Sequence, residues 1–139
     1  MSGLAAVLAG RHAPGVYRWH AHLDEADVRR AVEHAGWTYG HLDGWQVEDK
    51  AEFLSAVGKA LSFPDSYGQN FDALSDCLAD LGPAALLWDG WSCFDRADES
   101  AFQTAVDVLE SHAMDERTAP FVVLLRGDGP DVEGLESLD

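Results

Sequence analysis

Hydrophobic positions along the chain fall into short blocks whose period switches between two and about 3.6 residues. The stretch "GVYRWHAH" alternates Val16, Arg18 and His20 with Tyr17, Trp19 and Ala21, the pattern of a strand rich in aromatic and β-branched residues, with His20 and His22 on one face. "DEADVRRAVEHAG" follows with Asp24 or a neighbour as a cap, apolar residues at 28, 31, 32 and 35, and Gly36 as the stop; this spacing predicts an amphipathic helix. "WTYGHLDG" alternates again and ends in the turn pair Asp43-Gly44. "VEDKAEFLSAVGKALSF" places Phe53, Leu54, Val57 and Leu61 on one helical face, with Pro64 just beyond its end. After Pro83, "AALLWDGW" is a continuous apolar run of the kind found in a strand covered on both faces. "ESAFQTAVDVLESHAM" is apolar at 102, 105, 106, 109 and 113 and suits a helix, while "FVVLLRG" is too short for a buried helix and predicts a strand. The first dozen residues fit a helical turn or a lead-in equally well. The closing segment, 127–139, holds five acids and no base after Gly127 and is expected to be a mobile tail.

Strands separated by helices imply an α/β domain with a small, mostly parallel sheet packed by helices. No repeat or linker divides the chain, so residues 1–139 are expected to form one domain. Within it, 15–36 form a strand and helix at the N-terminus that complete the sheet at its edge.

One segment is not explained by folding. "FPDSYGQNFDALSDCLADL" (63–81) has four aspartates and no basic residue. With Asn70 as cap, a helix from about Phe71 to Leu81 spreads Asp72, Asp76 and Asp80 over about 80° of one face, at about 100° per residue. Leu74, Leu78 and Leu81, with Cys77, lie roughly opposite. Each i,i+4 aspartate pair costs about 0.2–0.5 kcal/mol, and no Lys or Arg lies between Lys59 and Arg96 to offset it locally. A solvated face in a generally acidic protein is the bland explanation.

Charge narrows the choice of partner. With 25 acidic residues against 9 basic ones and a net charge of −16, the chain repels nucleic-acid backbones and attracts basic proteins. No run is long and apolar enough to span a bilayer and no signal-peptide pattern opens the chain, so a cytoplasmic protein with no membrane association is expected. Cys77 and Cys93 have no metal-type spacing and are expected as free thiols, Cys77 in the packing of its helix.

Catalytic and ligand chemistry fares less well. His20 and His22 form a pair without an evident third metal ligand, and no cofactor motif is present, so neither metal nor cofactor is expected. Asp72 and Asp76 are conceivable as an acid–base hydrolase pair, but on an exposed helical face both stay ionised, and no G-x-S-x-G or H-E-x-x-H motif occurs. Six aromatic residues, among them Trp19, Trp37 and Trp88, lie in alternating or buried strands and serve packing better than base stacking.

Residue order within the acidic segment carries a resemblance. Phe63-Pro64, Tyr67-Gly68, Asn70, Asp72-Ala73-Leu74 and Asp76-Cys77-Leu78 resemble the central segment of the barstar family of intracellular ribonuclease inhibitors, and the flanking elements over 37–126 follow the same order. The resemblance implies a three-layer α/β fold around a three-stranded parallel sheet, and an inhibitor, not an enzyme, that plugs a nuclease active site with this helix and the loop before it. It implies that Asp76 takes the place of a substrate phosphate, that Asp72 and Asn70 contact the same rim, that Ser66, Tyr67 and Gly68 belong to the contacting loop, and that Glu110 is a peripheral acidic contact. Members of the family carry aromatic residues where this chain has Ser66 and Ser75, and a glycine-aromatic pair where it has Asp80-Leu81. Asp80 then suggests an added basic contact. The expected partner is a basic ribonuclease held by a monomer in a 1:1 complex, in a toxin–antitoxin or immunity setting. A non-inhibitory adaptor that binds another basic protein is the alternative.

Overall fold

The computed structural model describes residues 3–138, and the two apolar runs lie side by side in it as parallel strands β3 (Ala84–Asp89) and β4 (Phe121–Arg126). β2 (Thr38–Asp43) pairs with the outer side of β3, and β1 (Gly15–Trp19) with the far side of β4. A short β5 (Glu136–Leu138) completes an all-parallel sheet of order β2-β3-β4-β1-β5. β3 needs apolar residues on both faces because both are covered: Ala84, Leu86 and Trp88 enter one hydrophobic cluster, Ala85 and Leu87 the other.

The first cluster is closed by α3 (Lys50–Ala60), α4 (Phe71–Ala79), α5 (Ser92–Ala97) and α6 (Glu99–Ala113), through side chains such as Phe53, Leu74, Phe94 and Leu109. The second is closed by α1 (Gly3–Leu8) and α2 (Glu25–His34), through Leu4, Val7, Val28 and Val32. The result is the three-layer α/β arrangement expected from the sequence. The β2-β3-β4 unit is the three-stranded parallel sheet that the resemblance implies, and β1 and β5 widen it. Among the described residues no helix is long and apolar enough to cross a membrane.

Four expectations change. The segment 127–139 is not a free tail: Glu136–Leu138 pairs with β1, Leu138 is buried, and the Ser92 hydroxyl donates to the Asp128 carbonyl at 2.8 Å. Three residues are too few to show a period, and the anchor is supplied by distant side chains. For the same reason β1 is not the sheet edge, since β5 covers it. β1 ends at Trp19, so His20 and His22 lie beyond it in irregular chain and share no strand face. β3 stops at Asp89, because Gly90 turns at φ 69° and Trp91 leads into α5, a helix that the continuous "AALLWDGW" run hides.

The pairing of β5 has a measurable consequence. Leu138→Ala is expected to lower stability by about 2 kcal/mol, since truncating a buried leucine loses its apolar burial and leaves a cavity. A urea melt identical to wild type would show that β5 contributes nothing to the fold.

Candidate functional site: the acidic face of α4

α4 forms where the sequence places it because its first turn is capped and its inner face is buried. Asn70 is extended (φ −135°, ψ 171°) and its side-chain oxygen accepts from the Ala73 N–H at 2.7 Å, capping the first turn. Leu74 and Leu78 are fully buried against the cluster shared with α3 and α6. Two such leucines stabilise by about 3–6 kcal/mol, whereas two i,i+4 aspartate contacts cost about 0.4–1 kcal/mol together. Packing therefore wins, and the repulsion is tolerated.

The loop before α4 is held from beneath. Tyr67 meets Phe63 edge-on at 5.0 Å, and its hydroxyl donates to the Leu54 carbonyl of α3 at 3.0 Å. The close approach depends on Gly58, where an added Cβ would stand 2.7 Å from the Tyr67 ring. Burial first, and then the neighbouring Cys77, push the Tyr67 phenol up to about 12, so it remains a protonated donor. Tyr67 is thus a half-buried post, while Ser66 and Gly68 beside it are exposed. Gln69 sits at φ 51°, a left-handed conformation uncommon for a side-chain-bearing residue, immediately before the capping Asn70. The loop and the helix start are a fixed surface.

Asp72, Asp76 and Asp80 are all exposed, and among the described residues no ion pair reaches any of them. A cation does come near the helix start from outside the segment: Lys50 Nζ lies 4.9 Å over the Phe71 ring. The carboxylates act on their surroundings. Cys77 is half-buried, less deeply packed than its angular position predicts, and burial together with Asp80 and Asp76 pushes its thiol up, which keeps it protonated and a poor nucleophile. Ser75 and Ala79 complete the outer face with small side chains, so nothing on α4 rises above the acids.

Glu110 occupies a different setting. It is half-buried on α6 and lines a cavity of about 650 Å³ with Gly15, Tyr17 and Glu136. The structure thus groups Asn70, Asp72, Asp76 and Asp80 with the Ser66–Gly68 loop, and sets Glu110 beside β1. Among the described residues, no group of three or more His, Cys, Asp or Glu side chains is placed to hold a metal ion.

One charged cluster was missed by reasoning from the sequence. At the carboxyl ends of β3 and β4, Arg126 Nε donates to Asp89 Oδ1 at 2.7 Å and Nη2 to Oδ2 at 3.2 Å, while His41 Nε2 lies 2.8 Å from the same carboxylate. Burial raises the Asp89 carboxyl, but hydrogen bonds from Arg126 and His41 outweigh it and bring the group below its ordinary value. The available signal was positional: two buried runs, "AALLWD" and "FVVLLR", each end in an opposite charge, and parallel register sets Asp89 against Arg126.

The family model described as Barstar (barnase inhibitor) matches residues 37–126, from just before β2 to the end of β4, with α4 and its loop near the middle. That match spans well over half of the 139 residues. The chain belongs to the Barstar (barnase inhibitor) family.

Proposed function

We propose that this protein inhibits a basic ribonuclease by laying the outer face of α4 and the Ser66–Asn70 loop over the enzyme's active site. The observation that carries the reading is an exposed row of three carboxylates, unpaired among the described residues, on a helix whose loop is fixed from beneath by Tyr67 and Asn70. A surface organised before binding loses little conformational entropy on association. Asp76, between the other two acids, replaces a substrate phosphate among cationic side chains; Asp72 and Asn70 hold the near rim, Asp80 the far one. Glu110 is a separate, peripheral contact. Family membership supports the class of partner, since the matching model is that of a barnase inhibitor. The protein acts as a monomer in a 1:1 complex in the cytoplasm, without cofactor, and protects its own cell or disarms a competitor's toxin.

Immobilised protein exposed to basic proteins of the same organism should capture a species whose RNA cleavage is silent while bound and returns on dissociation. Cleavage that continues in the bound state would favour an adaptor.

Asp80, at the far rim, is expected to act mainly before contact. Asp80→Ala should slow association several-fold at low salt and flatten its dependence on ionic strength, with little change in dissociation. Stopped-flow association at two salt concentrations checks this; an unchanged association rate with faster dissociation would place Asp80 in the dry centre.

A further inference from the structure

Neighbouring strands β1 and β4 send the chain to opposite faces of the sheet. After Trp19 the chain passes to α2, whose Val28 and Val32 pack on one face; after Arg126 it crosses to β5 with Val132 and Leu135 packed on the other. In an open parallel sheet such a divergence leaves a crevice at the carboxyl ends of the strands. Here that crevice has a volume of about 480 Å³ and is lined by Trp19, Leu23, Trp45, Asp89, Arg126 and Asp128, with His20 and His22 also at its border.

Two of the three large apolar side chains exposed among the described residues stand at this one place: Leu23, 43% exposed, and Trp45, 56% exposed. Trp45 is not loose. Its backbone N–H donates to Asp43 Oδ1 at 3.3 Å, and its ring lies over Gly90 and Gly127, where added Cβ atoms would stand 2.6 and 3.4 Å from it. Both glycines have positive φ, so the shelf under the indole is built of residues that any side chain would disturb. A rigid aromatic surface left half open has the character of an interface anchor.

Charge decides what it takes. Arg126 is committed to Asp89 and to the Leu23 carbonyl, to which Nη1 donates at 2.6 Å. Asp43 and Asp128 are exposed beside the indole and make no ion pair among the described residues. An aromatic face with free carboxylates beside it suits a guanidinium, which stacks on the ring and pairs with an acid at its edge. The chain links the two surfaces: Lys50, which opens α3 five residues after Trp45, reaches the Phe71 ring at the start of α4 at 4.9 Å.

We propose that the crevice beside Trp45 is a second contact surface, seating an arginine-bearing loop of the basic partner whose main contact is α4. The guanidinium lies on the Trp45 indole with Asp43 or Asp128 as its counter-charge. This extension rests on the reading of α4 as a surface for a basic protein, and the two can be separated by experiment.

Acetylated tetra-arginine amide, titrated into the whole protein, can be followed by the indole N–H resonance of Trp45 and the backbone amides of Asp43, Asp128 and α4. Saturable shifts at Trp45, Asp43 and Asp128 are expected, weakened about fivefold in Trp45→Ala and in Asp128→Asn, with shifts at α4 unaffected by either change. Trp45→Phe, which keeps a ring on the shelf, should retain most of the affinity and excludes a folding artefact. Shifts confined to α4 would overturn the second surface and leave the α4 reading standing. Shifts at Trp45 without any at α4 would still support the arginine seat, since α4 as the main contact is tested separately by inhibition of RNA cleavage. Uniform shifts that do not saturate would overturn this proposal.

Discussion

Asp76→Ala is expected to weaken the complex with the ribonuclease by about 2–5 kcal/mol, chiefly through faster dissociation, while leaving the fold intact. Charge pairs of barnase and barstar are themselves the reference case for hot spots of this size. The direction follows from the proposed placement of α4. In the free protein Asp76 is exposed, between Asp72 and Asp80 at i,i+4 on either side, and removing it relieves two repulsions of about 0.2–0.5 kcal/mol each. In the complex the same carboxylate would lie among cationic groups sealed from water, where charge-assisted hydrogen bonds are stronger and truncation leaves the partner's charges buried without a counter-charge. Surface plasmon resonance paired with urea melts separates the two effects. A variant that binds normally yet melts earlier would mean that the stripe serves the fold.

Arg126→Ala should have the largest effect on stability, about 3 kcal/mol or more. The guanidinium and the Asp89 carboxylate are each only 18% exposed, and truncation strands a mostly buried carboxylate that retains His41 alone. It also removes the donor that holds the Leu23 carbonyl after β1. The pH dependence gives a second signature. Asp89 titrates below its ordinary 3.8 in the native state, so its pairing contributes stability above that pH and loses it as pH falls through the native value. Without Arg126, the part of the acid limb that this pair supplies should disappear. His112 behaves with the same sign at higher pH: burial holds its imidazole below 6.5, so stability is lost as pH drops through that range, in wild type and variant alike. Urea melts from neutral pH to pH 2 check the assignment, and an Arg126→Ala protein with an unaltered acid limb would contradict it.

How far the sequence discloses this molecule depends on where each element finds its stability. α3, α4 and α6 are legible because their own apolar periods match the faces they bury, with Asp49, Asn70 and Asp98 accepting at their N-termini. β3 and β4 are legible as unbroken apolar runs. β5 and α5 are not, because Glu136–Leu138 is held by β1, the chain leading to it is held at Gly127 and Asp128 by Trp91 and Ser92, and Ser92–Ala97 follows a glycine turn inside what reads as one apolar stretch. Within the candidate site, the angular spacing of the aspartates and the cap at Asn70 can be derived from residue order. The role of Tyr67 as a post cannot, since it needs Leu54 and Gly58 from a different helix. Nor can the crevice at Trp45, which exists only because β1 and β4 become neighbours across more than a hundred residues of chain.

The most direct test of the account is a titration of the captured ribonuclease at a concentration far above the dissociation constant, with RNA cleavage as the readout. Wild-type protein should reduce cleavage linearly to zero at one equivalent, and Asp76→Ala should leave residual cleavage that falls only with excess inhibitor. A stoichiometric complex that goes on cleaving RNA at the uninhibited rate would contradict the claim that α4 closes the active site.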